Sequence, residues 1–325
     1  MTWRDGVHLT GTPIWCDARR RRDVCFVSAA DRVGRAGHGQ LIASPLTLAL
    51  LGYTGAKSAG HLGVPVHRRF TLGTLRLELI ASGRGPGATA LHVDIAGRTV
   101  LYAGAVRPQP DDARVAVEVA EVRACNALVV AAPYGDEHHR FPPLADTIAR
   151  TVEWAQAQLA EARHAVLVVD GVLEGLEVAL VLRDALGDAI AIVAARAIRE
   201  AARRGELADK LALRGEPARR AQKSGPQVVI ALAADRGSLA KLDGERRVAS
   251  LSIEPSREIG DVALPWANAA DRAGLLAWIE STHAREVFVT GACAESIAHA
   301  LGPKARMIGP PHQMALFGDG GEVAT

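Results

Sequence analysis

Aromatic residues make up only 4% of this 325-residue chain, five Trp, three Tyr and five Phe. They are too few to interleave with its basic clusters, which excludes an aromatic stacking platform for single-stranded nucleic acid there. Cysteine is scarce as well: Cys16, Cys25, Cys125 and Cys293 are scattered with no C-x-x-C spacing. That excludes a zinc ribbon and a disulfide framework and fits a reducing compartment, so a cytoplasmic protein is expected. No run of about eighteen apolar residues occurs, and Met1-Thr2-Trp3-Arg4-Asp5 has no apolar h-region. Neither membrane spanning nor secretion is expected. A net charge of +2 is too small for a global field toward nucleic acid. The remaining values, 49% hydrophobic and 23% charged, are those of an ordinary globular protein.

The first third reads as short strands. Val24–Val27 is an apolar run. Leu75–Ile80 alternates with period two, as does Ala90–Ile95, which turns at Ala96-Gly97-Arg98 into Thr99–Ala103 and so predicts a hairpin. Ala127–Ala132 is apolar throughout, the pattern of a strand covered on both faces. Pro142-Pro143 then opens a long helical pattern, Leu144 to Arg163. Beyond it, strands at Ala165–Val169 and Ala189–Val193 alternate with helices near Glu174–Ala185 and Ala195–Arg204. Further strands are predicted at Gln227–Ala233 and Arg247–Ile253, and the last section reads helix, strand, helix. This order predicts an α/β protein with a parallel sheet in its middle part.

The segment Val27-Ser28-Ala29-Ala30-Asp31-Arg32-Val33-Gly34-Arg35-Ala36-Gly37-His38-Gly39, followed by Leu41-Ile42-Ala43-Ser44, is similar to the signature of the metallo-β-lactamase/β-CASP nucleases. There a T-H-x-H-x-D-H run precedes an (L/I)AS strand. The similarity runs through nearly the whole chain and is to the bacterial branch of ligase-associated DNA exonucleases and mRNA 3′-end-processing-like factors. It implies an αβ/βα sandwich from residues 1–140 and 255–312, interrupted by a smaller α/β insertion at 141–254, with a tail at 313–325.

The resemblance also implies where metal ligands belong, and there this chain departs from the pattern. The signature positions hold Ser28, Ala30, Arg32 and Val33. The P-A-G-H segment reads Ala81-Ser82-Gly83-Arg84, the G-D reads Gly104-Ala105, and the acidic position of T-E-(A/S)-T-F-G is Ala131. S-D-H-A-D reads Ala267-Asn268-Ala269-Ala270-Asp271, and V-T-H-G reads Val289-Thr290-Gly291-Ala292. Zinc needs thiolate, imidazole or carboxylate, and two-metal hydrolysis needs both ions. None of Ser28, Ala30, Arg32, Val33, Arg84, Ala105, Ala131, Ala269 and Gly291 supplies such a ligand, so no catalytic residue, metal or cofactor is expected. Asp136-Glu137-His138-His139 is the one dense group of ligand types. Adjacent His on an extended chain point to opposite sides, so it reads as a solvated loop. The glycines around Arg84 lack the Gly-Lys-Ser/Thr ending of a phosphate loop.

The tail carries Gln313-Met314-Ala315-Leu316-Phe317. It resembles the Q-(L/M)-x-L-F motif by which bacterial replication and repair proteins dock on the β sliding clamp, with Gln313, Met314, Leu316 and Phe317 as anchors. A packed final strand is the other reading. Two basic clusters could meet DNA: Arg19–Arg22, and the stretch from Ala195 to Lys223 that includes Arg196, Arg199, Arg203 and Arg204. Arg32 and Arg84, standing where metal ligands belong, either keep the cleft floor positive for a phosphate or pair with a nearby acid such as Asp31. The expectation is a catalytically inactive nuclease-fold protein, an adaptor in DNA replication or repair with the clamp and other repair proteins as partners. The alternative is an active metal-dependent exonuclease or hydrolase using a displaced site.

Overall fold

The computed structural model describes residues 1–32, 37–108, 117–215, 225–235, 244–253 and 260–310. It is a mixed α/β protein with three sheets and, among the described residues, seven α-helices. The first sheet is built of short strands: β1 (Thr2–Trp3), β2 (Val7–His8), β3 (Ile14–Cys16), β4 (Val24–Phe26), β5 (Gln40–Ala43) and β6 (Leu62–Gly63), in that order. It is antiparallel up to β3 and parallel from there on.

The second sheet begins as a meander, β7 (Arg69–Leu72), β8 (Leu75–Ala81), β9 (Thr89–Ile95) and β10 (Arg98–Gly104). It continues in parallel through β11 (Ala127–Ala131), β17 (Glu286–Thr290) and β18 (Ala305–Met307). Period-two alternation sends its residues to two different cores. Leu77, Leu79, Leu91, Val93, Val100, Tyr102 and Val129 face Val7, Leu9, Ile14, Phe26 and Ile42 of the first sheet and its turns. Ile80, Ala90, Leu101, Leu128, Val130, Val287 and Val289 point the other way, onto Leu275, Trp278, Ile279 and Ile297. Those four residues belong to α6 (Arg272–Ser281) and α7 (Ala294–Leu301). Each fully buried Leu or Ile contributes about 1.5–3 kcal/mol, and their alternation holds the two sheets face to face. The predicted hairpin is β9–β10, paired from Ile95↔Arg98 to Leu91↔Tyr102.

The third sheet is parallel throughout, in the order β13-β14-β12-β15-β16. Its strands are β12 (His164–Val169), β13 (Ile192–Ala194), β14 (Val228–Leu232), β15 (Arg246–Ser250) and β16 (Val262–Ala263). One face packs on α2 (Leu144–Ala160), α3 (Val172–Leu186) and α4 (Arg196–Arg204). One expectation needs adjustment: β13 starts at Ile192, later than the apolar run suggests. The short strand β16 pairs in parallel with β15. The expected helix start after Pro142-Pro143 holds, with α2 beginning at Leu144. A short α1 (Pro45–Leu50) is capped by the Ser44 hydroxyl, which accepts from the Thr47 N–H at 3.0 Å. The remaining helix, α5 (Ala208–Leu211), follows α4. No described helix is long and apolar enough to cross a membrane.

Candidate functional site

The ends of several strands meet the third sheet at a cleft of about 530 Å³, lined among others by Ala30, Asp31, Arg84, Asp170, Glu174, Glu200, Arg204 and Asn268. Two residues before the cleft-lining Ala30, Ser28 meets Asp17. The Ser28 N–H and hydroxyl donate to its carboxylate at 2.8 and 2.6 Å, and the Tyr102 hydroxyl donates at 2.9 Å. Burial pushes the Asp17 carboxyl up from its usual range, against those hydrogen bonds and the nearby Arg32 guanidinium. Gly104, at φ +61°, leaves the space this arrangement uses, since a Cβ there would sit 2.9 Å from the Ser28 hydroxyl.

The structure brings some of the positions singled out in the sequence together. Ala30 and Arg84 line the cleft with Asn268, the neighbour of Ala269. Ser28 adjoins Gly104 and hence Ala105, and the Ala270 N–H donates to the Val106 carbonyl at 2.7 Å, which brings the 267–270 segment alongside. Ala131 ends β11 and Gly291 follows its pairing partner β17. Val33 falls outside the described residues, as do Gln313, Met314, Leu316 and Phe317.

The two arginines standing among these positions face acids. Arg84 is 7% exposed and forms an ion pair with Asp31. Its Nε has no partner among the described residues. Arg32 acts on Asp17. The cleft floor is therefore not a free positive surface: four carboxylates (Asp31, Asp170, Glu174, Glu200) line the cleft against two guanidinium groups (Arg84, Arg204). On α4 the apolar residues Ile198, Ala201 and Ala202 are buried while Arg196, Arg203 and Arg204 face outward. Arg196 pairs with Glu200 at 2.9 Å, and Arg199 turns back to the Ala194 carbonyl at 3.1 Å. In the other basic run, Arg22 lies 3.8 Å over the Trp15 ring and Arg20 pairs with Asp5 at 2.9 Å. Arg219, Arg220 and Lys223 lie outside the described residues.

One interaction behind the cleft had no signal in the sequence. Arg107, 2% exposed, holds Glu177 of α3, 1% exposed, through two bonds of 3.0 and 2.5 Å. It also donates to the carbonyls of Gly83 (2.7 Å) and Ala267 (3.0 Å). The Trp266 indole N–H adds a bond of 3.1 Å to the same Glu177 carboxylate. Asn268 donates to Glu174 at 2.5 Å. These contacts tie α3 to the loop after β8 and to the 266–268 segment, so the back of the cleft is a fixed wall.

A second constellation corrects the expectation of a solvated loop at 136–139. His139 is buried, and Cys293, which looked isolated, lies against it with Sγ 3.9 Å from Nδ1. With Asp136, their ligand atoms all fall within 4.8 Å of one another, the one such group of three among the described residues. Burial pushes the Cys293 thiol up; the Asp136 backbone N–H opposes this and the Asp136 carboxylate adds to it. The group was hidden in the sequence because Cys293 is 154 residues from His139.

No known family model matches the chain, and no curated protein matches it. Among solved structures it is similar to the crystal structure of a protein of unknown function from Enterococcus faecalis V583, with 12% identity and a TM-score of 0.58. That likeness covers 88% of this chain and 79% of the other, and it shows a shared fold.

Proposed function

We propose that this chain is a metallo-β-lactamase/β-CASP-like scaffold that has lost its catalytic metals and works as a non-catalytic adaptor in DNA replication or repair. The observation that carries the reading is the content of the cleft. Ala30 and Arg84, at positions where the resemblance puts metal ligands, line it, and Arg84 is held there in an ion pair with Asp31. Recruitment is assigned to the tail, with Gln313, Met314, Leu316 and Phe317 seated on the bacterial β clamp. DNA contact is assigned to the exposed arginines of α4, Arg196, Arg203 and Arg204, since Arg84 in the cleft is already paired with Asp31. The second reading, a metal-dependent hydrolase with a displaced site, is favoured by the Asp136, His139 and Cys293 group alone.

Two assays test the proposal. Full-length protein should bind the β clamp at micromolar strength or tighter, and a folded Gln313→Ala/Leu316→Ala/Phe317→Ala variant should not. With Zn²⁺ or Mn²⁺ added, the protein should leave single- and double-stranded DNA and RNA intact. Metal-dependent cleavage would sink the non-catalytic reading in favour of the hydrolase, and clamp affinity unchanged in the variant would remove the adaptor role of the tail.

A further inference from the structure

We propose that Asp136, His139 and Cys293 bind one zinc-class divalent ion, which staples the loop after β11 to the turn that opens α7. This goes beyond the adaptor reading and does not rest on it.

The two loops leave neighbouring parallel strands, β11 and β17, at the same end of the second sheet. The Ala132 N–H donates to the Thr290 carbonyl at 2.7 Å, and the Cys293 N–H donates back to the Ala132 carbonyl at 3.0 Å. Gly135 lies under the first turn of α7 so closely that a Cβ would stand 2.7 Å from Ile297 Cγ1 and 3.1 Å from Cys293 Cβ. Arg272 of α6 holds the Gly135 carbonyl at 2.7 Å and the Ser296 hydroxyl at 2.6 Å. The three side chains therefore sit on a frame that is already fastened without them. A thiol, an imidazole and a carboxylate thus converge at a place whose backbone is already fixed by other bonds.

The geometry suits a tetrahedral ion. Zinc–sulfur and zinc–nitrogen bonds of about 2.3 and 2.0–2.1 Å at a tetrahedral angle set the two ligand atoms about 3.5–3.6 Å apart. The Cys293 Sγ–His139 Nδ1 separation of 3.9 Å is a few tenths wider. Asp136 is half-buried, so its carboxylate can turn the remaining distance, and its open side leaves the fourth position to water. His139 Nδ1 accepts long hydrogen bonds from the N–H groups of Gly135 and Asp136 at 3.4 and 3.3 Å, which metal binding would replace. The ring itself is positioned by Tyr134 and Phe141. A thiolate with an imidazole selects zinc-class ions over Mg²⁺ or Ca²⁺. On binding, the Cys293 S–H bond breaks, an S–metal bond forms, and the proton leaves to solvent.

The test is Co²⁺ titration of chelator-stripped full-length protein. One equivalent should produce a near-ultraviolet thiolate-to-cobalt charge-transfer band and the intense visible bands of tetrahedral cobalt, and Zn²⁺ should bleach both. Cys293→Ser should abolish the charge-transfer band, Cys125→Ser should keep it, and His139→Ala should weaken binding by at least about 10–100-fold. Absence of the thiolate band from the wild-type protein would overturn the proposal whatever the variants do, as would its persistence in Cys293→Ser. These spectra are read without any activity, so failure of the adaptor reading and failure of this site are separate results.

Discussion

Breaking the Arg107–Glu177 lock is the perturbation whose size follows most directly from the structure. Arg107→Met removes a guanidinium with four hydrogen bonds, to both Glu177 oxygens and to the carbonyls of Gly83 and Ala267. Glu177 is then a buried carboxylate with the Trp266 indole N–H as its remaining partner of this set. Removing one member of such a pair costs about 3–5 kcal/mol, because the other charge stays behind without compensation. Glu177→Leu should cost a similar amount, leaving the cation buried. The double variant Arg107→Met/Glu177→Leu strands only neutral groups, so its loss should fall short of the sum of the single losses by about 2–3 kcal/mol. Against a total stability of about 5–15 kcal/mol, the single changes are large. Urea unfolding followed by far-ultraviolet circular dichroism and by tryptophan fluorescence measures all three. In the single variants the two probes should also separate, since α3 and the third sheet lose their tie to the cleft wall before the facing sheets melt. Single losses below 1 kcal/mol, or losses that add within 0.5 kcal/mol, would refute the lock.

Binding to DNA should depend on salt through α4. Changing Arg196, Arg203 and Arg204 together to Ala should lower the slope of log affinity against log salt by about 2 to 3, while Arg84→Ala changes it little; equal effects of the two variants would contradict the assignment. Acidification should destabilise the fold through His38, His61 and His92, whose pKa values burial lowers. His38 and His61 accept backbone N–H bonds from Arg22 and Leu41 at 3.2 Å, so the fold prefers them neutral. Their contribution is complete above the unfolded value of about 6.5 and is lost as pH falls below it, where the unfolded chain binds more protons. Asp17, raised by burial, works in the opposite direction at lower pH. Urea midpoints at pH 8, 7, 6 and 5.5 should therefore decline, more shallowly in a His38→Gln/His61→Gln/His92→Gln variant, and a midpoint that rises on acidification would contradict the sign.

Much of the fold is local and was legible in order of residues. Leu75–Ile80 and Ala90–Ile95 alternate because every second side chain of a strand faces the same core, and Ala127–Ala131 is apolar throughout because both of its faces are covered. Pro142-Pro143 marks the start of α2 because Pro fits the first turn of a helix and not its interior. Short strands such as β16 carry too few residues to show a period, which is why the last parallel strand of the third sheet went unread.

The chemistry divides in the same way. The sequence by itself determined that Ala30, Ala105 and Ala269 carry no metal-binding side-chain atom in any fold. Only the tertiary structure decided which side chains meet. Arg84 finds Asp31 across 53 positions, Arg107 finds Glu177 across 70, and Cys293 reaches His139 across 154. No periodicity encodes those pairs, because side chains so far apart in the chain are brought together by the stacking of sheets and helices, a property of the packed core rather than of any segment within it.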